Sequence, residues 1–197
     1  RVRNDEYVDK SGLINIVNSS LFTERRFNCV SRSRRFGKSV AAKMLNAYYD
    51  QSCDSRHLFA DLEIASDPSF EKHLNKYPVI FLDLTNFTTR FKDDGIMEHV
   101  QKELKDDIHK AYADIPLKDD LMAYLIRITD ATQQPFIFII DEWDAICREF
   151  KTGTHAMDEY VSWLRRMFKG SNSPQVFAGV YMTGILPSFF SVFISFI

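Results

Sequence analysis

The most constraining stretch of the chain is an uninterrupted apolar run, Phe136 to Ile140, that ends in two acids, Asp141 and Glu142. Aromatic and β-branched residues in such a run are typical of a strand that is buried on both faces of a parallel sheet. A carboxylate at the end of a buried strand is costly unless it has a partner or a task. The run therefore predicts an α/β fold with acidic side chains at the carboxyl edge of its sheet.

Three other segments predict further strands, and amphipathic segments between them predict helices. The predicted strands are residues 27–30, 77–84 and 175–183, and the predicted helices are residues 39–50, 94–113, 116–129 and 155–169. Residues predicted to face the core include Val40, Met44, Leu45 and Tyr48 in the helix 39–50 and Leu117 in the helix 116–129. Alternation of strands and helices predicts a mostly parallel sheet with right-handed crossovers.

A Gly-Lys-Ser triplet, Gly37 to Ser39, lies between the first predicted strand and its helix, a context that predicts a phosphate-binding loop. Gly37 lets the backbone approach a phosphate, Lys38 can contact the β- and γ-phosphates, and Ser39 can bind Mg²⁺. The helix N-terminus adds unpaired N–H groups. However, Arg32 stands where the general motif has its first glycine. A basic turn before a surface helix is therefore the alternative interpretation.

The two acids at the end of the apolar run support the phosphate-loop interpretation. In nucleotide hydrolases the first such acid, here Asp141, holds Mg²⁺, usually through water, and the second, here Glu142, polarises the attacking water. An Asp-Glu pair could instead begin a helix as an N-cap. Agreement between the loop and the distant acids favours a P-loop NTPase fold, a three-layer α/β sandwich.

Several polar residues permit two interpretations each. Asp83, at the end of the second predicted strand, could act near Mg²⁺ or cap the loop that follows. Asp9 or Ser11 is predicted to cap a short first helix. Trp143 is expected to pack in the core, with a cover over the nucleotide as the alternative. Two helical arginines, Arg165 and Arg166, could be arginine fingers or solvent-facing residues.

Composition limits the remaining possibilities. The chain has 197 residues, 45% hydrophobic and 26% charged, enough for one domain with a core. A net charge of −2 gives no global basic field for nucleic acid or an anionic membrane. Three scattered cysteines, without zinc or disulfide spacing, indicate a reduced, cytoplasmic setting.

The two ends of the chain are unusual. The N-terminus is charged and lacks an initial methionine, as expected of an internal fragment. Residues 185–197 are almost wholly apolar but fewer than the ~20 of a membrane span. A truncated or frame-shifted end would explain them, as would a buried segment that needs a partner. The predicted domain is residues 1–187, with residues 188–197 as an apolar tail of unassigned status.

Four motifs, in order, resemble the AAA-ATPase-like family of bacterial proteins, and the resemblance extends from about Tyr7 to Pro187. They are Tyr7–Leu13, Cys29–Ser39, Phe138–Asp144 and Thr183–Pro187. In that family the phosphate loop commonly has arginines in place of its first glycine, so Arg32 fits the family pattern. Family members often carry a PD-(D/E)XK nuclease-like domain after the ATPase, which would lie outside this chain; a homo-oligomer is left open.

The resemblance implies ATP and Mg²⁺ as the bound groups. Thr183 would sense the γ-phosphate or orient water, beside Glu142 and Lys38 as the other catalytic residues. Ser39 and Asp141 would hold the metal. The implied nucleotide-binding residues are Arg34, Arg35, Phe36, Gly37, Lys38, Ser39 and Val40.

The predicted function is Mg-dependent ATP hydrolysis that drives a conformational switch, which would make the chain an acid anhydride hydrolase. One alternative is a regulatory nucleotide-binding module with little turnover, suggested by the missing first glycine. Another is a DNA-associated domain whose arginines between residues 25 and 35 bind phosphates with strong salt dependence. The slightly negative net charge disfavours nucleic acid for this domain alone.

Overall fold

The computed structural model describes residues 8–185, which form a central sheet covered by helices on both faces. The four strands are parallel and lie in the order β1-β4-β3-β2. The strands are β1 Phe27–Ser31, β2 Val79–Asp83, β3 Phe136–Asp141 and β4 Phe177–Gly184. The helices are α1 Gly12–Ser20, α2 Lys38–Tyr49, α3 Arg56–Phe59, α4 Phe70–His73, α5 Leu84–Arg90, α6 Ile96–Ala111, α7 Leu121–Thr132, α8 Ala145–Glu149, α9 His155–Phe168 and α10 Ser173–Val176.

The two middle strands are buried along their whole length. All six residues of β3 and all eight of β4 are buried, as predicted for the apolar run. Successive side chains of a strand point to opposite faces, so Phe138 and Ile140 belong to one hydrophobic cluster and Ile137 and Ile139 to the other. The result is the predicted three-layer α/β sandwich with a P-loop-like arrangement.

Different helices cover the two faces of the sheet. The first cluster takes side chains from α5 to α9, including Val100, Leu125 and Trp163. The second takes side chains from α1 to α4, including Ile14 and Leu45. At about 1.5–3 kcal/mol for each fully buried large apolar side chain, these two layers supply most of the favourable free energy of folding.

Two core predictions are wrong. Val40 is 65% exposed, because the first turn of α2 faces a surface cavity rather than the sheet. Leu117 is 47% exposed and precedes α7, which begins only at Leu121. That helix begins there because the Asp120 carboxylate accepts a hydrogen bond from the N–H of Ala123.

The prediction that the Asp9 or Ser11 side chain caps α1 is also wrong. Ser11 occupies the N-cap position of α1, but its side chain makes no capping hydrogen bond. Its hydroxyl instead accepts a hydrogen bond from the N–H of Ile64, at 3.1 Å. The carboxylate of Asp9 accepts from the N–H groups of Ser11 and Glu63, both at 2.8 Å. Both side chains therefore tie α1 to a distant 3₁₀ turn, Glu63–Ser66.

The strand register brings the predicted site residues to one edge of the sheet. Ser31 pairs with Gly184, Asp83 with Asp141 and Ile140 with Met182, so all four strands end within one residue of the same level. The loop after β1 and the acids after β3 therefore share this edge, where ligands of open α/β sheets bind. The predicted tail, residues 188–197, lies outside the described residues. Between residues 8 and 185 no helix has both the length and the apolar character needed to cross a bilayer.

Candidate functional site

The loop after β1 turns into α2 through a glycine in the left-handed region. Gly37 has φ 75° and is the N-cap of α2. A side chain is strained at that angle, and a Cβ there would also lie 3.3 Å from the Nζ of Lys10. The first N–H groups of a helix have no partner within it, so the turn presents donors to the space above the sheet edge.

Lys38 lies under this loop and is only 6% exposed. Its Nζ donates a hydrogen bond to the carbonyl of Ser33 at 3.2 Å and lies 3.7 Å from Oε1 of Glu142. The lysine that follows β1 and the acid that follows β3 are thus brought together across the sheet edge. The Lys38 ammonium therefore contacts both the loop backbone and the acid that follows β3.

Asp141 and Thr183 form a buried pair beneath the site. Asp141 is 3% exposed and Thr183 fully buried. The Thr183 hydroxyl donates to Oδ1 of Asp141, and the same carboxylate oxygen accepts from the N–H of Glu142 at 3.1 Å. The Glu142 N–H also lies 3.2 Å from the Thr183 Oγ1. The end of β4 therefore fixes both acids at the end of β3.

Glu142 adopts a backbone conformation that is unusual for a residue with a side chain. Its φ is 52°, in the left-handed region, which costs about 1–3 kcal/mol when the residue is not glycine. The surrounding bonds hold it there, because the next N–H, that of Trp143, donates to the Thr183 carbonyl at 2.8 Å. Such strain is concentrated at functional sites.

A second cation holds the other oxygen of Glu142. Arg148, on α8, donates from Nη2 to Oε2 of Glu142 at 2.9 Å and from Nη1 to Oδ1 of Asp144 at 2.6 Å. Asp144 is fully buried, and its Oδ2 accepts from the N–H of Ile185 at 2.9 Å. The Glu142 carboxylate therefore lies between Lys38 and Arg148.

A cavity of about 550 Å³ lies above these residues. Its lining residues are Arg34, Arg35, Gly37, Lys38, Ser39, Val40, Thr85, Glu142 and Arg148. Seven of the ten predicted site residues belong to that set. Phe36 is 63% exposed and outside the lining, with its carbonyl 3.4 Å from the Nζ of Lys10. Asp141 and Thr183 lie below the cavity rather than on its wall.

Sequence reasoning missed Thr85 and Arg148. A signal for Arg148 was present, because Asp144 and Arg148 have the i, i+4 spacing of a helical ion pair. The contact between Arg148 and Glu142 depends on the turn between β3 and α8, which spacing alone does not reveal.

Two ambiguous residues have structural roles. The Asp83 carboxylate accepts from the N–H of Thr85 at 2.9 Å and caps α5. Trp143 is 1% exposed and packs in the core, as expected. A Cβ on Gly184 would come within 2.5 Å of the Trp143 Nε1, so the indole needs a glycine at the end of β4.

The donor set suits Mg²⁺ bound together with phosphates. Within residues 8–185 no group of three or more His, Cys, Asp or Glu side chains forms a metal cluster. Mg²⁺ in nucleotide sites keeps several waters and uses one or two protein oxygens plus the phosphates. The Ser39 hydroxyl at the cavity and the Asp141 carboxylate below it fit this pattern.

A parallel α/β sheet with a Gly-Lys-Ser loop and two acids at one edge defines the class of P-loop nucleotide-binding folds. Within that class, the chain belongs to the AAA-ATPase-like family, whose model, described as a predicted AAA-ATPase, matches residues 1–192. No curated protein and no solved structure matches the chain. Family membership supports nucleotide binding in general.

Proposed function

We propose that the chain binds ATP with Mg²⁺ in the 550 Å³ cavity and hydrolyses it, and that hydrolysis drives a conformational switch. The observation that carries this proposal is the 3.7 Å approach of the Lys38 ammonium to the Glu142 carboxylate at the cavity wall. Two residues more than a hundred positions apart meet there, on the loop and the strand end that phosphoryl transfer requires.

The loop side of the cavity would bind the phosphates. Lys38 and the first N–H groups of α2 supply positive charge for the β- and γ-phosphates. Arg34 and Arg35 line the same cavity, which favours their use on the nucleotide rather than on DNA. Val40 contributes an exposed apolar surface at the same wall.

The strand side would carry the chemistry. Ser39 and, through water, Asp141 would hold Mg²⁺, which neutralises phosphate charge when bound. Glu142 would orient and polarise the attacking water. Thr183, through its bonds to Asp141 and the Glu142 N–H, would keep both acids in place. The three free cysteines agree with the cytoplasmic setting that we propose.

The experiment compares Lys38→Ala and Glu142→Gln with two controls. Lys38→Ala is expected to lower ATP affinity at least ~100-fold, because it removes the cation beneath the loop. Glu142→Gln is expected to bind ATP but to lower kcat ~10²–10⁴-fold. Binding of a fluorescent ATP analogue and release of phosphate measure the two effects.

Lys43→Ala and Glu149→Gln are the matched controls, because both side chains are exposed, on α2 and at the end of α8, and lie outside the cavity lining. Both controls are expected to behave as the unmodified chain. Unchanged binding in Lys38→Ala together with unchanged turnover in Glu142→Gln would exclude this mechanism.

A regulatory module with little turnover is the second candidate. It is favoured by the two cations that flank the Glu142 carboxylate, since both compete with water for its oxygens. Single-turnover measurements distinguish the candidates. Bound ATP that persists for hours supports the module, and conversion within minutes supports the ATPase.

A further inference from the structure

We infer that Arg148 is a positioning residue of this site, which holds Oε2 of Glu142 so that Oε1 is the oxygen that orients the attacking water. The inference rests on the proposed ATPase function. It assigns a role to a cavity-lining arginine that is distant from the phosphate loop in the sequence.

Arg148 is itself held in place by a buried carboxylate. Its Nη1 donates at 2.6 Å to Asp144, a fully buried carboxylate one helical turn earlier. That carboxylate is fixed in turn by the N–H of Ile185, at 2.9 Å. A planar guanidinium with one nitrogen anchored in this way can present its second nitrogen in only a narrow range of directions.

The two carboxylate oxygens of Glu142 differ in their surroundings. Oε2 accepts a hydrogen bond from Arg148 at 2.9 Å, whereas Oε1 lies 3.7 Å from the Lys38 Nζ, beyond hydrogen-bond length. The close contact therefore sets the carboxylate's orientation. Oε1 is left on the side of Lys38, where the phosphates are proposed to bind.

Lys38 has donors left for a phosphate, whereas both terminal nitrogens of Arg148 already bind carboxylates. Lys38 donates one hydrogen bond, to a carbonyl, and its remaining donors can turn to phosphate oxygens. Arg148 has one Nη on each of two carboxylates and is 21% exposed. Each of those nitrogens keeps a second N–H, but the direction of that N–H is set by the carboxylate bond that the first one makes. The geometry thus favours a role through Glu142 over direct phosphate contact.

The test uses Arg148→Ala and Arg148→Lys in the 197-residue chain. Loss of a residue that orients a reacting group typically lowers activity ~10–100-fold, as it does for the residues that orient metal ligands. Arg148→Ala is therefore expected to lower kcat ~10–100-fold with the KM and the Kd for ATP changed less than ~twofold. The kcat of Arg148→Lys should lie between that of Arg148→Ala and that of the unmodified chain, because one ammonium cannot bridge two carboxylates as the forked guanidinium does.

Chemical rescue separates positioning from a merely structural role. Methylguanidine at millimolar concentration is expected to restore part of the kcat of Arg148→Ala and none of that of Glu142→Gln. Arg56→Ala is the matched control, because Arg56 also pairs with a carboxylate, that of Glu71, but on the exposed surface outside the cavity lining. Its kcat should equal that of the unmodified chain.

The outcomes that overturn the inference are distinct from those that overturn the proposed function. An unmodified chain that neither binds nor turns over ATP refutes the function itself. An active chain whose Arg148→Ala variant keeps full kcat refutes the positioning role. A parallel loss of ATP affinity and kcat refutes it too, in favour of direct phosphate contact. If circular dichroism shows that Arg148→Ala does not fold, the Arg148→Lys variant provides the test. Full kcat in that variant refutes the positioning role, and a lower kcat at unchanged Kd supports it.

Discussion

At the scale of single residues, one hydroxyl organises the acidic side of the site. Thr183 donates to Asp141 and lies within hydrogen-bond distance of the Glu142 N–H, so it connects the ends of the two middle strands. It is fully buried, as is most of Asp141. A buried carboxylate that loses a donor pays the cost of desolvation without compensation.

Thr183→Val should therefore lower the free energy of unfolding by about 1–3 kcal/mol, although valine has nearly the same shape. Urea denaturation followed by circular dichroism measures the change. Thr183→Ser is the control, because it keeps the hydroxyl and loses only a methyl group. Equal stabilities for the valine and serine variants would show that the hydrogen bond makes no net contribution to the free energy of unfolding.

The three cysteines differ in reactivity for a related reason. Burial, with the Asp144 carboxylate nearby, raises the pKa of the Cys29 and Cys147 thiols to about 12, whereas Cys53 is exposed. Because the thiolate is the reactive form, a disulfide reagent at pH 8 should modify one thiol rapidly in the folded chain and three in urea. The Cys53→Ser variant should lose the rapid phase. Rapid reaction of that variant would contradict the burial of the other two.

At the scale of secondary-structure elements, β3 supports the site by anchoring it in the core. Phe138 is fully buried, and its ring lies 5.8 Å from the rings of Phe168 and Phe177 and 6.2 Å from that of Trp163. These contacts join β3 to α9 and β4, so the strand that carries the two acids is held from one whole face.

Phe138→Ala should consequently cost about 3–5 kcal/mol of unfolding free energy, the usual range for a large aromatic removed from a core. Differential scanning calorimetry or urea denaturation measures it. Leu117→Ala, at a position 47% exposed, is the control and should change stability by less than ~0.5 kcal/mol. Similar losses of stability for the two variants would mean that the buried Phe138 ring contributes no more to the unfolding free energy than an exposed side chain.

The elements themselves were largely predictable, because the pattern that specifies them is local. The continuous run of β3 and the periodicity of α6 and α9 identified the strand and helices to within a few residues. Boundaries were less predictable. Asp120 ends an extended segment by capping α7, and Val40 has the period of a core residue but lies in a turn that faces the cavity.

The candidate site was predictable as far as its motifs extended. The loop triplet and the acids at the end of β3 meet as expected, because parallel strands end at one edge. Arg148 was not found, since its contact with Glu142 depends on the turn into α8. The burial of Asp141 beneath Thr183 likewise depends on the register of two strands more than thirty residues apart.

At the scale of the whole molecule, buried phenols and thiols make the fold sensitive to alkali. Burial raises the pKa of Tyr48 and Tyr77 to about 12 and that of Tyr181 further, as it does for the two thiols. In the unfolded chain these groups ionise near 9.0 for cysteine and 10.0 for tyrosine. Above those values the folded state binds more protons than the unfolded state.

Stability should therefore be constant from neutral pH to about 8.5 and fall steadily as the pH rises through 9 and 10 toward 12. The urea midpoint, measured at intervals between about pH 7 and pH 11, tests whether stability falls as the pH rises. Cys29→Ser should reduce the part of the fall that begins near pH 9, whereas Cys53→Ser, at an exposed position, should not. A midpoint that rises with pH would contradict the argument.

The left-handed backbone of Glu142 places two demands on one position. The turn admits asparagine or glycine easily and disfavours β-branched residues, while the proposed chemistry needs an acid. In a saturation library at position 142, selection for folding and selection for ATP turnover should therefore enrich different residues. Asparagine would be a frequent survivor of the first selection and absent from the second, and valine absent from both.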